Sequence, residues 1–135
     1  MPEDLLDRFR TVHAKATEAF NRGDLHTALA GLPPDLEWHP LSTDPEPAVH
    51  RGPGQIREWF EEYRSVFDEW ESKPLEYAQL GAATILVHHV IRGTSRGARV
   101  PVEVNVFEVW EFDGGRPVCV RQFDSRAVAL EAINV

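Results

Sequence analysis

Residues 100–112 read VPVEVNVFEVWEF, a stretch in which apolar and polar side chains alternate. Side chains of a β-strand point alternately to its two faces, so this pattern predicts one long strand with one apolar face. The apolar face carries the even positions, which are Val100, Val102, Val104, Val106, Glu108, Trp110 and Phe112. We expect this face to meet the helices, and the odd face to form a half-polar outer surface.

Glu108 is the one charged residue on this apolar face. A carboxylate on an apolar face must be paired, protonated or hydrated, and desolvation raises its pKa. Two interpretations stay open. Glu108 is an acid or base in a pocket, or it forms a structural salt bridge, for example with Arg121 on the neighbouring strand.

The rest of the chain predicts helices on one side and strands on the other. Apolar residues at helical spacing indicate a first helix up to Phe20 and a short second one after Asp24. A third helix, with aromatic residues on one face, is expected to extend through Trp70. A short strand is expected at residues 36–39 and further strands near 75–80, 84–92, 99–112 and 117–123, followed by a terminal helix. Segregated helices on a mostly antiparallel sheet predict an α+β fold in a single domain, residues 1–135.

Composition excludes several classes of partner. The chain of 135 residues has a net charge of −8, and its few basic residues are scattered among acidic ones. Binding to nucleic acid or to an anionic membrane requires clustered Lys and Arg, so we expect neither. No apolar run is long enough to span a bilayer. The single Cys119 cannot form an internal disulfide, and the N-terminus is acidic, which predicts a cytoplasmic protein.

A helix with many aromatic residues over a bent sheet leaves a cavity where the sheet curls away, and apolar pockets are built from such side chains. Gln122 is a candidate orienting amide, and Asp124 is either a pocket residue or the cap of the terminal helix. The proline-rich segment 42–54 is expected to be a loop at the rim. The residues expected to contact a ligand are Trp38, Trp59, Tyr63, Phe67, His88, Val106, Trp110, Gln122 and Asp124.

The six histidines do not form a recognisable metal motif. His88 and His89 are adjacent in a predicted strand, so they point to opposite faces and cannot share one ion. His39, His88 and Glu108 could form a site of two histidines and one carboxylate, but they lack a characteristic spacing. A glycine-rich phosphate loop is also missing from the sequence. We therefore expect neither a metal nor a cofactor.

Several motifs, in their order and spacing, resemble the SnoaL-like branch of the nuclear transport factor 2-like superfamily, which includes polyketide cyclases and ketosteroid isomerase. They are Phe20-Asn21-Arg22-Gly23-Asp24, Asp35-Leu36-Glu37-Trp38-His39-Pro40, Arg51-Gly52, Val109-Trp110-Glu111-Phe112-Asp113-Gly114-Gly115-Arg116 and Phe123-Asp124. The resemblance implies a cone-shaped roll in which a strongly bent sheet wraps around three or four helices and an internal pocket. It also implies a homodimer formed through the outer sheet face.

The resemblance assigns roles to two residues. In the isomerase, a carboxylate base precedes the proline that ends the first strand, and this position falls on His39. The acid that binds the oxyanion falls on Glu108. The isomerase's tyrosine on the first helix has no counterpart, because Phe20 is the nearby large residue, and this argues against isomerase activity itself.

We therefore expect a protein that binds a small, largely apolar molecule in an internal cavity. If it is an enzyme, the reaction is cofactor-free proton transfer next to a carbonyl: isomerisation, cyclisation or dehydration. His39 would be the base and Glu108 the acid or hydrogen-bond donor. The alternatives are a non-catalytic ligand-binding or dimerisation module of the same fold, and an adaptor that binds a protein partner.

Overall fold

A computed structural model describes residues 4–41 and 49–133. Most of the predicted rim loop, residues 42–48, lies outside the described residues. The elements are α1 (Leu5–Asn21), α2 (Leu25–Leu29), β1 (Glu37–His39), β2 (His50–Arg51), α3 (Gly52–Ser65), β3 (Phe67–Gln79), β4 (Thr84–Ser95), β5 (Pro101–Asp113), β6 (Arg116–Phe123) and α4 (Arg126–Ile133). None of the helices in these two segments is long and apolar enough to cross a membrane.

The strands form one curved sheet in the order β2-β1-β6-β5-β4-β3. Every neighbouring pair is antiparallel except β1 and β6, which are parallel. Register shifts in β3 and near the end of β5 mark irregularities of the kind that bend and twist a strand. The α+β fold and the strongly bent, mostly antiparallel sheet predicted from the sequence are confirmed.

Local sequence explains how the first helices end and begin. Asp4 Oδ1 accepts a hydrogen bond from Asp7 N at 2.8 Å and caps α1. Gly23, with φ of +84°, follows the last turn of α1, and Asp24 caps α2 through Thr27 N at 3.1 Å. Asn21 ties the end of α1 to the sheet, because its amide exchanges two hydrogen bonds with the backbone of Ser72.

The boundary between α3 and β3 differs from the prediction. The aromatic pattern predicts a helix through Trp70, but α3 ends at Ser65 and Phe67 already begins β3. The backbone of this segment instead pairs with β4. Tyr63 still contacts the rings of Phe67 and Trp70, at centroid distances of 5.6 and 5.1 Å, so the aromatic cluster spans the helix–strand junction.

The main core lies between the inner face of the sheet and the helices α1 and α3. Its buried members include Phe9, Leu36, Trp38, Ile56, Val87, Trp110 and Val120. On the opposite face of the sheet, Ala129 of α4 packs against Leu86 and Val109. This helix therefore covers part of the outer face that the sequence predicts to be the dimer surface.

Candidate functional site

A cavity of about 770 Å³ lies between the sheet and the helices. Side chains from α1, α3 and alternate positions of the strands line it, because one face of each element points inward. Its aromatic lining residues are Phe9, Phe20, Trp38, Trp59, Phe60, Tyr63, Trp70, Trp110 and Phe112. A largely aromatic cavity of this size suits a small apolar molecule.

Glu108 lies in the cavity wall and is only 3% exposed. Gln122, its partner across the β5–β6 pair, donates from Nε2 to Glu108 Oε2 at 2.8 Å. Trp110, on the same face of β5, donates from Nε1 to Glu108 Oε1 at 3.2 Å. Arg121, the alternative partner suggested by the sequence, instead contacts Glu111 on the outer face. Glu108 therefore faces the cavity, held by two neutral donors.

Two histidines approach the same carboxylate. His89 Nε2 lies 3.2 Å from Glu108 Oε2, which is within ion-pair distance. The angle at Nε2 is not that of a hydrogen bond. His13 Nε2 lies 4.0 Å from Glu108 Oε1. The second ring nitrogen of each histidine contacts a hydroxyl: His89 Nδ1 lies 3.0 Å from Ser72 Oγ, and His13 Nδ1 lies 2.7 Å from Tyr77 Oη. The hydroxyls fix the orientation of both rings.

The charges of this group follow from burial and proximity. Burial by itself raises the pKa of Glu108, but the charge and contact of His89, together with His13 and Gln122, outweigh it and lower that pKa to about 2. Burial lowers the pKa of His13 to about 4, which the attraction of Glu108 only partly offsets. Burial and the charge of Glu108 raise the pKa of Tyr77 to about 12.

At neutral pH, Glu108 is therefore a carboxylate, His13 a neutral imidazole and Tyr77 a neutral phenol. This differs from the donor role that the resemblance implied for Glu108. An ionised carboxylate only accepts hydrogen bonds, so Glu108 is suited to stabilise a cation or to orient a histidine.

Of the residues predicted to contact a ligand, six line the cavity: Trp38, Trp59, Tyr63, Val106, Trp110 and Gln122. The other three do not. Phe67 packs on Tyr63 and Trp70. Asp124 is exposed beyond β6, where Ser125 Oγ caps α4 by accepting from Val128 N.

His88 lies on the outer face, where its ring stacks on Phe107 at 4.2 Å and its Nε2 contacts Asn105. Its neighbour His89 takes the inner position. His39 is likewise separated from Glu108, because it alternates with the inward-facing Trp38 along β1 and contacts Glu37 at 3.2 Å. The structure thus does not bring His39, His88 and Glu108 together.

Sequence reasoning missed His13, Ser72, Tyr77 and His89. A signal for His13 was present, since it shares helical spacing with Phe9, Ala16 and Phe20 on the apolar face of α1. For β4 the signal was ambiguous. Both faces of that strand are apolar, with Ile85 and Val87 on one and Leu86 and Val90 on the other, so alternation could not tell which histidine points inward.

A curved sheet with helices that enclose one apolar cavity defines the cone-shaped class of the nuclear transport factor 2-like superfamily. The chain belongs to the SnoaL-like domain family, which matches residues 13–120. No curated protein sequence matches the chain significantly.

Three solved structures illustrate the fold. A nuclear transport factor 2-like protein of unknown function from Burkholderia pseudomallei is 23% identical, with 93% of this chain and 97% of that chain covered and a TM-score of 0.70. TerC, co-crystallised with polyporic acid, is 15% identical, with 93% and 98% covered and a TM-score of 0.70. The epoxide hydrolase/cyclase-like enzyme SalBIII of salinomycin pyran-ring formation is 16% identical, with 90% and 93% covered and a TM-score of 0.70.

Proposed function

We propose that the chain binds a small, largely apolar molecule in its internal cavity and transfers a proton on that molecule without a cofactor. The observation that carries this proposal is the buried carboxylate of Glu108, which meets two histidines in the wall of an aromatic cavity. The cyclase-like character of SalBIII and the co-crystallisation of TerC with polyporic acid support a small-molecule ligand for a chain of this fold.

In this proposal His13, rather than His39, is the proton acceptor. A neutral imidazole at the cavity wall can take a proton from a carbon next to a carbonyl, and the Glu108 carboxylate, 4.0 Å away, stabilises the imidazolium that forms. Gln122 and Trp110 hold the carboxylate in place. Return of the proton to another carbon gives isomerisation. Attack of the enolate on a second carbonyl of the same molecule, whose oxygen takes the proton from His13, gives cyclisation. Departure of a β-hydroxyl group that takes the same proton gives water and a dehydrated product.

The test uses 2-tetralone, a small bicyclic ketone, as the probe. Proton NMR in D₂O follows the loss of the signals next to its carbonyl, and quenching of tryptophan fluorescence measures its binding. We expect the wild-type chain to accelerate exchange and Glu108→Gln to lower the rate by about 100-fold while binding persists. Glu103→Gln is the matched control, because Glu103 lies on the same strand but is exposed and contacts Arg92. Equal rates for wild type and Glu108→Gln would contradict the catalytic role.

A non-catalytic binding module is the second candidate function. The low pKa of His13, about 4, favours it, because an imidazole with that pKa is a weak base at neutral pH. Binding of 2-tetralone without exchange in the wild type, and with equal affinity in Glu108→Gln, would support this reading.

The homodimer is also a proposal. The outer face beside α4 carries the half-buried stacked pair His88 and Phe107, which a second copy could cover. Sedimentation equilibrium of the wild type and of Phe107→Asp tests this, with the variant expected to be monomeric. The free Cys119 supports a cytoplasmic location, since thiols stay reduced there.

A further inference from the structure

Glu37, His39 and Cys119 meet on the outer face of the sheet, where the parallel strands β1 and β6 pair. Glu37 and His39 flank the inward-facing Trp38 along β1, and Cys119 is in register with Glu37. One ligand atom from each of the three residues lies within 4.8 Å of the other two, and His39 Nε2 is 3.2 Å from Glu37 Oε1. Three different metal-ligand types thus converge on one spot, away from the cavity.

The spacing is close to what a small tetrahedral ion requires. Zinc binds sulfur at about 2.3 Å and nitrogen or oxygen at about 2.0–2.2 Å, which places two ligand atoms about 3.3–3.6 Å apart. The side chains of His39 and Glu37 are 35% and 36% exposed, so solvent reaches the group and can supply the fourth ligand. A thiolate and an imidazole select zinc over calcium or magnesium, which prefer oxygen.

Neighbouring charges orient one of the three ligands and act on another. Arg51 Nη1 lies 3.4 Å from Glu37 Oε2, which leaves Oε1 for a metal and holds the carboxylate in a monodentate orientation. Burial, with Glu111 and Glu37, raises the pKa of the Cys119 thiol to about 11, although Arg121 opposes them. Metal binding must therefore displace a thiol proton, which makes the affinity increase with pH.

We propose that Glu37, His39 and Cys119 bind one zinc ion per chain, with a solvent molecule as the fourth ligand. The thiol proton passes to solvent as the zinc–sulfur bond forms. This site is separate from the cavity, so the zinc proposal does not depend on the proposed proton transfer.

The experiment titrates the full chain with Co²⁺, which gives a thiolate charge-transfer band and visible bands in tetrahedral sites, and then displaces it with Zn²⁺. We expect one equivalent per chain and tighter binding at pH 8 than at pH 6. Cys119→Ser should remove the charge-transfer band, and Cys119→Ser, His39→Asn and Glu37→Gln should each weaken Zn²⁺ binding by about 10-fold or more.

His88→Asn and Glu103→Gln are the matched controls, since both residues lie on the same face outside the group, and both variants should bind as the wild type does. Far-UV circular dichroism confirms folding, and Glu37→Gln, at a half-buried position that solvent reaches, tests the site even if Cys119→Ser fails to fold. A cobalt spectrum without a thiolate band, a stoichiometry other than one, or unchanged Zn²⁺ affinity in folded His39→Asn and Glu37→Gln would overturn the proposal.

Discussion

His13 should make the chain sensitive to mild acid, and His13→Gln should remove that sensitivity. The pKa of His13 falls from 6.5 to about 4 on folding, chiefly because its side chain is buried, with Glu108, His89 and Tyr77 around it. Between these two pH values the unfolded chain binds a proton that the folded chain does not. His13 therefore does not change the free energy of unfolding above pH 6.5, and it lowers that free energy as the pH falls from 6.5 toward 4.

The size of the effect follows from the difference between the two pKa values. At about 1.4 kcal/mol for each pH unit, the difference between 6.5 and about 4 corresponds to about 3 kcal/mol. The corresponding window for Glu108, whose pKa falls from 4.5 to about 2, lies at lower pH, so the two effects separate above pH 4.5. A loss of about 3 kcal/mol is a large share of the stability of a small domain.

The assay is urea unfolding followed by tryptophan fluorescence at pH 7.5, 6.5, 5.5 and 4.5. We expect the free energy of unfolding of His13→Gln to fall less than that of the wild type over this range, by about 2–3 kcal/mol. His26→Gln is the control, because His26 is exposed on α2 and its replacement should leave the wild-type pH dependence unchanged. Parallel curves for the wild type and His13→Gln would refute a buried, neutral His13.

Three further predictions concern stability and binding. Gly52→Ala should destabilise the chain by about 2 kcal/mol or more in urea unfolding, because the φ of Gly52 is +77° and a Cβ there would lie 2.6 Å from Pro34 O. If the variant were as stable as the wild type, the backbone at this position would be free to shift. Gln122→Leu removes a donor from buried Glu108 and should cost about 1–3 kcal/mol in urea unfolding at pH 7. Wild-type stability of this variant would show that the hydrogen bond contributes nothing. Val106→Trp fills part of the cavity and should weaken 2-tetralone binding in calorimetry, whereas unchanged affinity would place the probe elsewhere.

Short-range patterns in the sequence were sufficient for most of the elements, the boundary between α3 and β3 excepted, and for the inner face of β5. Alternation along residues 100–112 put Glu108 among apolar side chains, because a strand's two faces follow directly from its backbone geometry. Turn and cap residues such as Gly23 and Asp24 set the ends of the first helices, because their conformations and hydrogen bonds are local. The motifs, by their order, also indicated the family to which the chain belongs.

Tertiary structure alone decided the partners of that carboxylate. Pairing with β4 converted the segment from Phe67 into a strand, and sheet register, not local pattern, turned His89 inward and His88 outward. The same pairing placed Ser72 beside His89, while packing of α1 on the sheet brought His13 to Glu108. These contacts join residues far apart in the chain, and a pKa depends on all charges and solvent nearby. The sequence by itself therefore determined that an acid lies on the inner face, and the folded chain determined what that acid meets.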